Sequence, residues 1–162
     1  MTGPTEPLVS LEELLLIHTA MVDSYGGGVG VRDHGLIESA LHRPVTSFGG
    51  QMMFPTPFLR AATLWWGLIK NHGFVDANKR TSSVAALRWL DREGYALQVS
   101  DDDLVRTALA VANGEHSVES LAGWIAGRAE SLARTPPSPS RRPPQRRRSR
   151  ARRPAQRGRE RD

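Results

Sequence analysis

The sequence predicts an all-α domain of about six helices, residues 1–134, followed by a disordered arginine- and proline-rich tail, residues 135–162. Three observations predict it. Apolar residues recur at helical spacing in successive segments punctuated by glycine and proline. At 162 residues and 39% apolar content the chain is long enough for one well-packed core and too short for two comfortable ones. From Thr135 onward the composition turns to proline, serine, glutamine and arginine, which cannot bury enough apolar surface to offset chain entropy.

Ser10-Leu11-Glu12-Glu13 has the form of a capping box and opens the first helix. Leu14, Leu15, Ile17, His18 and Met21 form its apolar face, and Tyr25-Gly26-Gly27-Gly28 ends it. A second helix runs from about Asp33 to His42, with Leu36, Ile37, Ala40 and Leu41 inward and Pro44 closing it. Residues 44–55 do not suit a helix. Gly49-Gly50 between short apolar runs predicts a turn or small hairpin, read as a packed surface loop in preference to a substrate-binding flap. Thr56-Pro57 starts a third helix, in which Ala61, Leu64, Trp65, Leu68 and Ile69 recur at helical spacing. Residues 73–77 form a loop, and Val84, Leu87 and Leu90 carry a fourth helix to Glu93, stopped by Gly94. Ala96 to Val99 is briefly extended. Ser100-Asp101-Asp102-Asp103 opens a fifth helix with Leu104, Val105, Ala108, Leu109 and Ala112 as its buried face. The three aspartates are read as carboxylates complementing a helix N-terminus rather than as a metal site. Ser117 caps a last helix through Leu121, Trp124, Ile125 and Leu132, and all four tryptophans are assigned to packing.

The net charge of +5 is unevenly spread. Residues 135–162 hold 11 arginines against Glu160 and Asp162, a net of +9; residues 1–134 hold 11 basic and 15 acidic side chains, a net of −4. The tail is a solvated segment whose arginines, lacking interleaved aromatics, offer RNA or DNA only incidental and sequence-blind contact. Cysteine is absent, so no disulfide forms, which fits a reducing compartment. The first ten residues have neither a basic leader nor a long apolar run, and no segment approaches the ~20 apolar residues of a membrane span. The expectation is a soluble, cytoplasmic protein with no membrane partner.

Candidate chemistry concentrates in His72 to Arg80, HGFVDANKR, between the third and fourth helices. A helix N-terminus favours an anion such as phosphate, because its first N–H groups lack intrahelical partners and its dipole end is positive. Lys79 and Arg80 add full positive charge there, against the helix's own preference, and an anionic ligand resolves the conflict. Phosphoryl transfer needs a base, a metal ligand and cations for phosphate. His72 can take a proton from an alcohol, and Asp76 can offer an oxygen to Mg²⁺. Asn78 can hydrogen-bond phosphate or fix the loop, Lys79 and Arg80 can pair with phosphate oxygens, and Gly73 and Ala77 let the backbone approach closely. Phe74 anchors the loop in the core. Singly, each residue has an ordinary structural reading: a histidine at a helix C-terminus, turn-forming Asp and Asn, a solvated Lys-Arg pair. His18, His34, His42 and His116 show no ligand spacing and are given no role, and Lys70 is read as a solvated helix position.

The nine residues resemble the signature of the Fic/Doc superfamily, and the Lys79 variant resembles its Doc, or death-on-curing, branch. The likeness extends over about residues 8–133, through Leu11-Glu12-Glu13, Tyr25-Gly26-Gly27, the Leu36-to-Ala40 helix and Asn113-Gly114-Glu115. It implies a Fic-type helical fold, ATP or another nucleoside triphosphate with Mg²⁺, and transfer to a hydroxyl on a protein. By this resemblance His72 is the general base, Asp76 the metal ligand, and Ala77, Asn78, Lys79 and Arg80 the phosphate-binding group. Where AMP-transferring relatives have a glycine and a later arginine, this chain has Lys79 and Ser83. Doc toxins share both departures and act as kinases that phosphorylate a threonine of elongation factor Tu, which implies a translation-arresting toxin. Fic enzymes restrained by their own inhibitory helix carry Ser or Thr, three residues, Glu, then Gly or Asn; here only Thr2 and Glu6 have the spacing, and Pro7 follows. A separate cognate antitoxin is therefore the implied partner. The alternatives are an AMP transferase and a non-catalytic nucleotide-binding module.

Overall fold

A computed structural model describes residues 3–133; the tail expected over 135–162 lies outside the described residues. Six helices make up the described chain: α1 (Leu11–Tyr25), α2 (His34–His42), α3 (Pro57–Asn71), α4 (Asn78–Arg92), α5 (Asp101–Ala112) and α6 (Val118–Ala126). Two small antiparallel pairs accompany them, β1 (Ser47–Phe48) with β2 (Gln51–Met52), and β3 (Tyr95–Leu97) with β4 (Ala129–Ser131). No described helix is long and apolar enough to cross a membrane.

The central element is α3, which packs against α2, α4, α5 and α6. From Arg60 to Leu68 nearly every side chain is buried, which a helix surrounded on all sides requires. Trp65 and Trp89 are the largest fully buried side chains, and Trp65 meets Trp124 edge to face at 6.0 Å. Arg60 enters this core as well. Its guanidinium forks onto Glu93, and Trp89 Nε1 donates to the same carboxylate, so the charge is paired and hydrogen-bonded.

The predicted starts hold where the cap chemistry is strong. Ser10, Asp33, Thr56, Ser100 and Ser117 each accept a backbone N–H three residues on. At Ser10 half of the expected box forms: the serine accepts from Glu13, while the Glu13 carboxylate pairs with Arg92 and so fastens α1 to the end of α4. The Gly49-Gly50 hairpin also forms, with both glycines at positive φ as a tight two-residue turn requires.

Two expectations are corrected. The last helix stops at Ala126 instead of reaching Leu132, because residues 129–131 pair with β3 and satisfy backbone groups that β3 would otherwise leave open. Arg128 marks the break by donating to the Trp124 carbonyl and lying 4.4 Å from the Trp124 ring. On α5 the buried face is Thr107, Ala108 and Val111, with Leu104 half-buried; Val105 and Leu109 are 55% and 43% exposed. The apolar stripe is wider than the buried one: Ala112, at the helix end, is also exposed, while Val105 and Leu109 face a cleft.

Candidate active site

The loop from His72 to Ala77 crosses between α3 and α4, and contacts from outside it fix its shape. His72 ends α3 in the left-handed region, φ 50°, which a β-carbon makes unfavourable. The Arg32 side chain holds it there, donating to the His72 carbonyl at 2.6 and 2.8 Å and to the Asn71 carbonyl at 3.1 Å. Gly73 is buried against α2; a β-carbon would meet Ile37 at 2.5 Å, so its close approach is to the scaffold. Its carbonyl accepts from the Arg32 and Asp33 N–H groups. Phe74 is buried and stacks face to face on His18, ring centroids 4.0 Å apart.

Asp76 lies exposed on the loop, with both carboxylate oxygens oriented: Oδ1 accepts the Ala77 N–H at 2.7 Å and Oδ2 the Gly28 N–H at 3.1 Å. Those two bonds, first Ala77 and then Gly28, together with the charges of Arg80 and Lys79, hold its pKa below the ordinary carboxylate value. It is ionised at neutral pH. Gly27 lies so close that a β-carbon would come within 2.6 Å of Oδ2.

At the start of α4 the capping residue Ala77 is left-handed, φ 61°, and supplies no side-chain cap. The first intrahelical bond runs from Thr81 to the Ala77 carbonyl, so the N–H groups of Asn78, Lys79 and Arg80 lack intrahelical partners. Of the two roles open to Asn78, its side chain makes the loop-fixing one: it is buried and pairs with both the N–H and the carbonyl of Phe74. Arg80 donates to the carbonyls of Met21 and Gly26 at the end of α1 and lies 5.5 Å from the Tyr25 ring. Lys79 is exposed, and the Ser82 and Ser83 hydroxyls are both bonded to its carbonyl.

His72, Asp76, Ala77, Asn78, Lys79 and Arg80 all line one cleft of about 540 Å³. Its other wall is mostly apolar, built from Met21 and Tyr25 of α1, Val84 of α4, and Leu104, Val105 and Leu109 of α5, with Asp101 at the start of α5 also in the lining. Lys70 lies outside this lining, its ammonium donating to the Ala112 carbonyl at the end of α5. Among the described residues no three His, Cys, Asp or Glu side chains gather as a metal cluster, and Ser100 caps α5 as expected. A single oriented, ionised carboxylate suits a Mg²⁺ ion that arrives with a polyphosphate supplying further oxygens, rather than an all-protein cage.

Sequence reasoning missed three contributors. His18 carried a signal, a histidine on the apolar face of α1, while Arg32 carried none, since its partners are backbone carbonyls 39 and 40 residues away. The cleft wall on α5 was hidden in a stripe that reads as core.

Comparison with known proteins shows the family. The model of the Fic/DOC family matches residues 8–90. Over 114 residues the chain is 35% identical to Toxin Doc of Mycolicibacterium smegmatis, covering 67% of this chain and 85% of that protein. Over 118 residues it is 36% identical to the protein kinase doc of Escherichia phage P1, covering 72% and 91%. The motif, the helical frame around it and these relatives place the chain in the Fic/DOC family, on its Doc branch.

Proposed function

We propose that the protein is the toxin of a toxin–antitoxin pair and a Mg²⁺-dependent protein kinase. It transfers a phosphoryl group from ATP to a threonine hydroxyl of a translation factor, elongation factor Tu being the leading target, and so arrests translation in the cytoplasm. The observation that carries the reading is one cleft holding His72, the ionised Asp76 and the uncapped N-terminus of α4 with Lys79. His72 accepts the hydroxyl proton. The hydroxyl oxygen bonds to the terminal phosphorus, the bond from that phosphorus to the bridging oxygen breaks, and the nucleoside diphosphate leaves. Mg²⁺, held by Asp76, supplies charge neutralisation on the phosphates when bound. The N–H groups of residues 78–80 and the Lys79 ammonium orient phosphate oxygens.

Position 83 favours phosphoryl over nucleotidyl transfer in this reading, because the Ser83 hydroxyl is bonded to the Lys79 carbonyl and presents no cation to the cleft. The toxin and kinase names of the two relatives support a toxin restrained by a cognate antitoxin. The arginines of residues 135–162 add salt-dependent, sequence-blind contact with RNA or DNA.

The test is incubation with elongation factor Tu and ATP labelled either at the terminal or at the α phosphate. Label from the terminal position supports the kinase; label from the α position alone shows AMP transfer instead. His72→Ala separates catalysis from binding. Loss of toxicity in cells supports a catalytic base, and full toxicity supports a non-catalytic module.

A further inference from the structure

The proposed chemistry leaves His18 unused, although it is buried and touches the loop at two points. Its ring stacks on Phe74 with an interplanar angle of 6°, and its Nε2 lies 3.0 Å from the Asp76 carbonyl oxygen. A carbonyl only accepts, so Nε2 carries the proton and donates.

The peptide group joining Asp76 to Ala77 is thereby held at both ends. Its carbonyl is bound by His18 and its N–H by the Asp76 carboxylate. Because a peptide unit is planar, the two ends turn together. Ala77 stands at φ 61°, and rotating the plane by about half a turn would carry it to the negative φ that alanine prefers. Local preference therefore favours the turned peptide, and the bonds at its two ends, one from within the loop and one from His18, oppose it. A turned peptide would take the Ala77 N–H away from Oδ1 and leave the carboxylate held only through Oδ2, by the Gly28 N–H. The His18 bond opposes that rotation directly, while the stack on Phe74 aims the imidazole. Phenylalanine could stack equally well but could not donate.

We propose that His18 is a positioning residue for the Asp76 carboxylate, acting through the 76–77 peptide. The inference rests on the reading of Asp76 as the cation-binding group. The test compares full-length native protein with His18→Phe, which keeps a stacking ring without the donor, and His18→Gln, whose amide can donate from near the Nε2 position. The Ala77 amide resonance reports the bond to Asp76 independently of any activity, and transfer from Mg²⁺·ATP reports its consequence. In H18F the Ala77 amide should leave the downfield position of a charge-assisted hydrogen bond, and transfer should fall about 10–100-fold, the range for groups that orient metal ligands. In H18Q the resonance should return toward the native position, with at least part of the lost rate. An unmoved Ala77 amide in H18F overturns the proposal. A Gln variant displaced as far as the Phe variant also overturns it, assigning the effect to stacking. Should native protein transfer no phosphate, the kinase reading fails while the amide resonance still decides the role of His18.

Discussion

Arg32 holds a residue the chain would not hold unaided. Its three bonds to the Asn71 and His72 carbonyls fix His72 in the left-handed region, whose cost for a residue with a β-carbon is about 1–2 kcal/mol. Because Arg32 is exposed, its loss should cost only about 1 kcal/mol of stability while loosening the base. Arg32→Ala should therefore lower kcat about tenfold with a small change in Tm; Arg32→Lys, without the planar fork, should recover little of it. A drop in Tm as severe as that of a core truncation would make Arg32 a structural residue instead. Asp76 yields a pH prediction. Its folded-state pKa is lowered, so its stabilising contribution is complete above the unfolded carboxylate value and is lost as pH falls through the folded one. The Tm difference between native protein and Asp76→Ala should be constant from neutral to mildly acidic pH and close below the usual carboxylate range. A difference that persists unchanged in strong acid would show that the two backbone bonds do not depend on the charge.

Between elements, the Arg60–Glu93 pair matters most because it joins the start of α3 to the end of α4, and Arg60 also donates to the Phe54 carbonyl beside the hairpin. The two side chains are 5% and 9% exposed. Removing one partner leaves a buried charge unpaired, so Glu93→Ala should destabilise by about 3–5 kcal/mol in denaturant titrations. An Arg60→Met, Glu93→Leu double variant should cost much less, since both charges go together. If the double variant is no better than Glu93→Ala alone, the bond to Phe54 and the fit of the hairpin are what the pair supports. This pair shows why the sequence was legible only in part. Helix starts were readable because caps are local, three residues from side chain to N–H. The motif was readable because its chemistry is contiguous, although contiguity could not show that Asn78 serves Phe74 or that Arg80 caps α1. The end of α6 is not legible locally because its cause is the pairing of Ala129–Ser131 with Tyr95–Leu97, strands more than thirty residues apart. Val105 and Leu109 were misread because the wall of a cleft and a core face have the same composition.

At the scale of the whole molecule the charge is divided, −4 over residues 1–134 and +9 over residues 135–162. The catalytic candidates all lie between His72 and Arg80, and the core runs from Val9 to Ile125. Deleting residues 135–162 should therefore leave Tm and phosphoryl transfer near their native values, while the net charge changes from +5 to −4. What should be lost is affinity for nucleic acid. Arginines neutralising phosphates release counterions, so log Kd for single-stranded RNA should depend on log salt with a slope of about 0.7 per phosphate engaged. Eleven arginines without aromatic partners should also bind homopolymers of different bases alike, since stacking and base-edge contacts are what discriminate. Titrating the full chain and the truncated chain with two homopolymers at low and moderate salt decides the matter. Steep salt dependence, indifference to base and loss on truncation support an electrostatic arm; an affinity that hardly changes with salt refutes the electrostatic account, and one that survives truncation places RNA binding on the −4 body.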